Sequence, residues 1–278
     1  MRVDSHQHYW SIARTDYGWL TPDTGILYRD YLPEHLHGHL RKHGFERTVL
    51  VQAAPSVEET YYMLRLGEQD PTIAAVVGWL DFESDSADFG LKLEELRRHT
   101  LFAGVRPMIQ DLPADWMQRE QVVANFRMVA ETGVPVDFQL QPWLLDSCNK
   151  LMEQVPHLRA VIDHIAKPRM DGTGKSEWVR GLERLASYPG IMCKLSGMVE
   201  GSEKEVWSKS QVAPFAYEAI RIFGPNRLMF GSDWPVCLLA ADYDDVVELA
   251  ESMLPQNWND QEKAAFWGGN AAAFYQIE

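Results

Sequence analysis

Three short segments of the chain end in residues that bind protons or metals: Asp4-Ser5-His6-Gln7-His8, Asp163-His164 and Gly231-Ser232-Asp233-Trp234. Alternate side chains of a strand share a face, so His6 and His8 project together from the end of the first segment. Paired imidazoles bind a divalent metal or polarise a carbonyl. A third imidazole, His164, and a carboxylate, Asp233, extend the set; a carboxylate beside imidazoles ligates a metal or takes a proton from water. A lone His-x-His is common. Ligand-type residues at three separate strand ends form a far more specific pattern.

These residues need elements that bring them together. Runs with strand character cover residues 2–8, 47–54, 73–82, 102–109, 134–140, 158–165, 190–195 and 227–231. Amphipathic stretches alternate with them at 33–43, 57–70, 89–99, 119–132, 144–154, 175–187, 210–223, 242–253 and 261–275. Short apolar strands alternating with helices imply parallel pairing. Eight such units in 278 residues match one (β/α)₈ TIM barrel, of the α/β class, spanning 1–278 as a single domain. No Gly-x-Gly-x-x-Gly follows any of the strands, so a dinucleotide fold lacks its main support. Closing the barrel makes its last strand the neighbour of its first, which carries Asp233 toward His6 and His8. The long loops 9–32, 110–118, 166–174 and 196–209 fall at the same end, the face on which barrels place active sites.

A formal net charge of -14 argues against nucleic acid and anionic membranes, whose affinity is built from Lys and Arg. The start lacks the apolar stretch of a secretory signal, and no apolar run approaches a membrane span. Three scattered cysteines, Cys148, Cys193 and Cys237, suit reduced thiols in the cytoplasm rather than a disulfide frame or zinc knuckle.

Further residues at strand ends suit a polyhydroxylated ligand. The Arg106 guanidinium can hold a ring oxygen, hydroxyl or carboxylate, or else pair internally with Asp81, Asp111 or Asp137. Gln52, Gln139 and Gln141 both donate and accept. Lys167 and Lys194 offer donors to sugar hydroxyls, with rim snorkelling as the plain alternative. Trp10, Trp19, Trp116 and Trp234 lie beside loop signals; Trp10 and Trp234 are the aromatic faces that would cover the CH side of a sugar. His35, His37, His39 and His43 cluster on one predicted helix with Arg41 and Lys42 and read as a solvated face outside the site.

The Asp-x-His-x-His start, Gly78-Trp79-Leu80-Asp81, Gly104-Val105-Arg106-Pro107, Asp163-His164-Ile165-Ala166-Lys167-Pro168, Cys193-Lys194-Leu195-Ser196-Gly197, Arg227 through Pro235 and Gly269-Asn270-Ala271 together resemble the amidohydrolase superfamily. The likeness is strongest to its sugar-acid lactonases, the L-fuconolactonase, L-rhamnonolactonase and pyrone-dicarboxylate lactonase branch. It runs from one terminus to the other and implies a distorted barrel of the metallo-dependent-hydrolase type, with water driven by the strand-8 aspartate. The matching positions are His6, His8, His164 and Asp233.

Binuclear members of that superfamily carry a bridging Lys or Glu on strand 4 and a His on strand 5. Here those strands offer Arg106 and Gln139, so a two-metal site is not expected. The expectation is no strictly required cofactor, or one divalent cation such as Zn or Mn on His6, His8, His164 and Asp233. A lactone is more electrophilic than an amide and has a better leaving group, so well-placed donors at the oxyanion suffice for its opening. Asp233 is then the general base on water, and His6, His8 and His164 steady the carbonyl oxygen directly or through that cation. The expected partner is a small sugar lactone, and the chain is compatible with a homo-oligomer. Alternatives on the same scaffold are a metal-dependent non-oxidative decarboxylase, another amidohydrolase of a small carboxylic acid, or a non-catalytic carbohydrate-binding relative.

Overall fold

Short runs of aliphatic and β-branched residues form the inner wall of the molecule. The computed structural model describes residues 1–199 and 207–278. Its strands are β1 (Arg2–Gln7), β2 (Phe45–Val51), β3 (Ile73–Gly78), β4 (Phe102–Val105), β5 (Val136–Phe138), β6 (Ala160–Ile162), β7 (Ile191–Leu195) and β8 (Leu228–Phe230). All neighbours pair in parallel, in the order β1 to β8. A parallel bridge between Gln7 and Trp234 joins the last strand to the first, so the sheet curls into a nearly closed barrel. The expected eight-stranded (β/α) architecture is present.

The helices are α1 (Pro33–His43), α2 (Val57–Gln69), α3 (Ser86–Leu96), α4 (Glu120–Thr132), α5 (Leu145–Gln154), α6 (Lys175–Ala186), α7 (Lys209–Phe223) and α8 (Tyr243–Met253). Their apolar stripes pack against the outside of the strands in one large core. The single helix expected over 261–275 is broken into α9 (Asp260–Ala264) and α10 (Asn270–Tyr275) by a π-type turn. At the break Gly268 leaves the helical conformation, and a Cβ there would sit 2.5 Å from the Met1 carbonyl oxygen, so a residue without a side chain is needed where the chain passes the N-terminal segment. Among the described residues no helix is long and apolar enough to cross a membrane.

Inside the barrel the side chains form layers. Val3, Val49, Ala75, Val161 and Met229 pack with Phe274 and Tyr275 of α10 toward the floor. Two residues further along β6 and β7 stand Asp163 and Lys194, and β5 adds Asp137; all three are fully buried. On β1 the pairing runs Asp4 to Thr48 and then Gln7 to Leu50, three steps facing two. That extra residue changes the strand's phase, so both Val3 and His6 point inward.

The candidate active site at the barrel mouth

β1 and the segment after β8 are locked together by backbone. The Asp233 N–H donates to the His6 carbonyl at 2.8 Å, and the His8 N–H to the Trp234 carbonyl at 2.7 Å. Gly231 makes this approach feasible, because a Cβ there would meet the His6 Cβ at 2.7 Å. Asp233 itself takes a left-handed φ of 57°, which Asp and Asn tolerate better than other side chains. The carboxylate is thereby turned onto the imidazoles. Its Oδ1 lies 3.1 Å from His8 Nε2 and 3.5 Å from His6 Nε2, and its Oδ2 lies 3.9 Å from His164 Nε2.

His164 is placed by a strained turn. His164, Ile165, Ala166 and Lys167 all have φ between 42° and 58°. For β-branched Ile165 this is a costly conformation, of the kind found where structure serves a site. Gly197 completes the fit: a Cβ there would lie 2.7 Å from the His164 ring. Ser196 Oγ accepts from the His164 backbone N–H at 3.2 Å and contacts Nδ1 at 2.9 Å. Burial pushes both His6 and His164 well below the ordinary imidazole range, so both are neutral.

His8 is different. Its Nδ1 lies 2.7 Å from the Val51 carbonyl, which only accepts, so Nδ1 carries a proton. Nε2 then faces the Asp233 carboxylate at 3.1 Å. Two bare acceptors would repel at that distance, so a proton lies on the line between them. Asp233 acts as a base when that proton sits on His8.

The mouth opens into a cavity of about 200 Å³, lined by His8, His164 and Asp233 together with Arg106, Gln139 and Lys167. Trp19, Ala53, Met108 and Val236 add an apolar side, and Gln110 and Asp111 reach in from the loop after β4. His6 does not line it; fully buried, it stands behind Asp233.

Three residues expected to contact ligand serve the wall instead. Gln52 is fully buried, its amide donating to the Arg106 carbonyl at 2.8 Å while its own carbonyl accepts from the Arg106 guanidinium. Trp10 is fully buried, its indole N–H donating to the Arg29 carbonyl at 2.9 Å, its ring edge-on to Trp19. Trp234 is buried against Tyr9 and Tyr31. Trp116 is likewise buried, beside Phe82 and Phe126. Of the four tryptophans near loops, Trp19 is the one that faces the cavity. It donates to the Ala53 carbonyl at 2.7 Å, and the Glu59 carboxylate holds the same loop by accepting from the Ala53 and Ala54 N–H groups. The acidic partner of Arg106 is Asp163, at 3.4 Å, rather than Asp81, Asp111 or Asp137.

Lys194 is no rim lysine. Its fully buried ammonium donates to Asp137, lies 3.2 Å from Asp163 Oδ1 and contacts His6 Nδ1 at 3.1 Å. The Tyr275 hydroxyl donates to Asp137 at 2.9 Å. Burial pushes Asp137 up even against Lys194, whereas burial of Asp163 is outweighed by Lys194, His6 and Arg106, which hold it well below the carboxylate range. The signal for this network was a charged residue on the inward phase of an apolar strand: Val161 then Asp163, Met192 then Lys194. The histidines of α1 are engaged on the outside. His37 lies 2.6 Å from Asp70, and His39 and His43 lie 3.2 and 2.7 Å from Asp244 of α8. Half of the loop expected over 196–209, residues 200–206, lies outside the described residues.

Two donor groups come close enough to share a cation: His6, His8 and Asp233, and His6, Asp163 and His164. Nitrogen and carboxylate ligands of this kind suit one zinc-like ion. Just after β4 and on β5 the corresponding inward positions hold Arg106 and Asp137, both already tied to other groups of the barrel.

An eight-stranded parallel barrel with two imidazoles and an aspartate at its C-terminal mouth defines a hydrolase-type scaffold. The family model described as amidohydrolase matches residues 3–277. The chain belongs to the amidohydrolase family. It is 34% identical to an L-fucono-1,5-lactonase of Burkholderia ambifaria, over 100% of this chain and 96% of that one. It is also similar to the crystal structure of an amidohydrolase from Burkholderia multivorans with bound HEPES, at 32% identity, TM-score 0.93 and full coverage of both chains. A second crystal form of that protein, with bound Zn, gives a TM-score of 0.92.

Proposed function

We propose that this enzyme is a lactonase that opens a sugar-acid lactone of the L-fucono or L-rhamnono type to the free aldonic acid. The observation that carries the reading is the buried Asp233 carboxylate facing the cavity between His8 and His164, in a chain 34% identical over its full length to L-fucono-1,5-lactonases. The cavity's about 200 Å³ lies below the range of drug-sized sites, roughly 300–1,000 Å³, which suits one small ring. Arg106, Gln139, Lys167, Gln110 and Asp111 supply donors and acceptors for ring hydroxyls. Ala53, Met108 and Val236 offer an apolar surface to a methyl group, as in a 6-deoxy sugar.

In the reaction, Asp233 takes a proton from water as the water oxygen attacks the lactone carbonyl carbon. The charge that develops on the carbonyl oxygen is met by His8, His164 and the Arg106 guanidinium. Collapse of the tetrahedral centre breaks the ring C–O bond. The leaving oxygen takes the proton from Asp233, which restores the carboxylate. His6, from behind, orients Asp233. If a cation is bound, His6, His8, His164 and Asp233 would hold it, and it would supply Lewis-acid polarisation of the carbonyl.

The test is a pH-indicator screen of aldonolactones on protein purified with and without chelator. Acid release from L-fucono- or L-rhamnonolactone, retained after chelation, is the expected result. Absence of release from every aldonolactone, with zinc-dependent loss of CO₂ from an aromatic acid instead, would replace this reading by the decarboxylase.

A further inference from the structure

The buried Lys194 ammonium hydrogen-bonds Asp137 Oδ2 and His6 Nδ1, the latter at 3.1 Å, and pairs by charge with Asp163 Oδ1 at 3.2 Å. An ammonium cannot accept, so the contact with His6 makes Nδ1 the acceptor. A ring whose Nδ1 accepts carries its one proton on Nε2. That nitrogen lies 3.5 Å from Asp233 Oδ1 and makes no closer hydrogen bond among the described residues, so its proton stands on the Asp233 side without a partner of its own. The opposite tautomer has a rival claimant, because Asp163 Oδ1 also lies 3.2 Å from Nδ1. Yet no ring hydrogen bond aligns on that oxygen. A proton on Nδ1 would also point at an ammonium.

We infer that Lys194 is the positioning residue of this site: it fixes the His6 proton on Nε2, on the side of Asp233, and weakens the hold of His6 on any cation. Nε2 is blocked by its proton and Nδ1 by the Lys194 N–H. Both donor groups able to share a cation among the described residues contain His6, so one side chain governs each. A fixed internal ammonium thus competes with a cation for the His6 ring, and the site is biased toward proton transfer. The catalytic consequence rests on the reading of Asp233 as base; the tautomer and the metal preference do not.

The test uses ¹⁵N-histidine NMR, with the His6 resonances assigned by their loss in His6→Asn. In the wild type, Nδ1 is expected to be pyridine-like and Nε2 pyrrole-like. In Lys194→Met, Asp163 becomes the remaining partner of Nδ1, and the pattern reverses. Carboxylate partners of histidine ligands change metal affinity by about 10–100-fold, so zinc affinity measured by chelator competition should rise about tenfold in this variant. Should Lys194→Met not fold, Lys194→Met/Asp137→Asn removes the buried charges as a pair and is read the same way. A pyrrole-like Nδ1 in the wild type, an unreversed pattern in the variant, or unchanged zinc affinity overturns the inference. A failed lactone screen with the expected tautomers would sink the proposed reaction and leave this assignment standing.

Discussion

Asp233→Asn separates proton transfer from everything else the residue does. Its backbone contacts, with the His6 carbonyl and the Cys237 N–H, are independent of the side-chain atom exchanged. The left-handed φ of 57° is as acceptable to Asn as to Asp. What is lost is the ability to take a proton from water. General bases contribute about 10²–10⁴ in rate. The upper part of that range applies, since Asp233 is 2% exposed and flanked by imidazoles, whereas Asp111, the other carboxylate on the cavity, is solvated. At 1.36 kcal/mol per decade this is about 4–5.5 kcal/mol of barrier. The assay is kcat and KM for the best lactone of the screen, with thermal unfolding measured beside it. We expect kcat to fall by roughly 10³–10⁴ with little change in KM or Tm. A fall below about tenfold with the fold intact would refute the assignment of the base.

Gly197→Ala forces a Cβ to 2.7 Å from the His164 ring at a φ of 59°; at about 2–3 kcal/mol for conformation and overlap together, Tm should drop by roughly 4–10 °C and kcat should fall with it. Unchanged melting and turnover would contradict the packing described. Arg106→Lys loses the fork that reaches the Gln52 carbonyl and Asp163 while facing the cavity, and a charge-assisted bond of about 1.5–3 kcal/mol predicts a tenfold or larger loss in kcat/KM by steady-state kinetics. Burial pushes Glu59 up from 4.5 to about 7. The folded state therefore keeps a proton that the unfolded chain has released, and stability is full below pH 4.5 and lost as pH rises through 7. In Glu59→Gln one oxygen can accept from Ala53 and Ala54, and this loss, at most about 3.5 kcal/mol by 1.36 kcal/mol per unit, should vanish from denaturation curves taken across that range.

The strand–helix rhythm and the four residues at strand ends were legible because both depend on local pattern. Period-two alternation puts His6 with His8, and the closure of any eight-stranded barrel brings Asp233 beside them. The walls were less legible. Gln52, Trp10 and Trp234 have the chemistry of sugar contacts, but each is the residue behind one: Gln52 behind Arg106, Trp10 behind Trp19, and Trp234 against Tyr9 and Tyr31. Sequence proximity to a loop does not say which side of it a ring occupies. The inner charges were hidden for a further reason. Whether Lys194 reaches the rim or the axis depends on the phase of β7, and whether His6 meets it depends on the extra residue in β1. The first is marked only by a charge set in an apolar strand, and the second has no sequence mark of its own.

That extra residue also explains how the site is layered. Had β1 kept its register, Val3 pointing inward would have sent His6 and His8 outward, beneath the helices. With the shift, the apolar floor and the imidazoles share one axis, and the charged layer of Asp137, Asp163 and Lys194 lies between them. Burial of two carboxylates is costly unless they are paired. Lys194 pairs both, and its third N–H is left for His6. The group that makes the layer tolerable is thus the same one that orients the imidazole behind Asp233. An Arg at position 194 could not substitute, because a planar fork cannot direct three donors to three acceptors around one nitrogen.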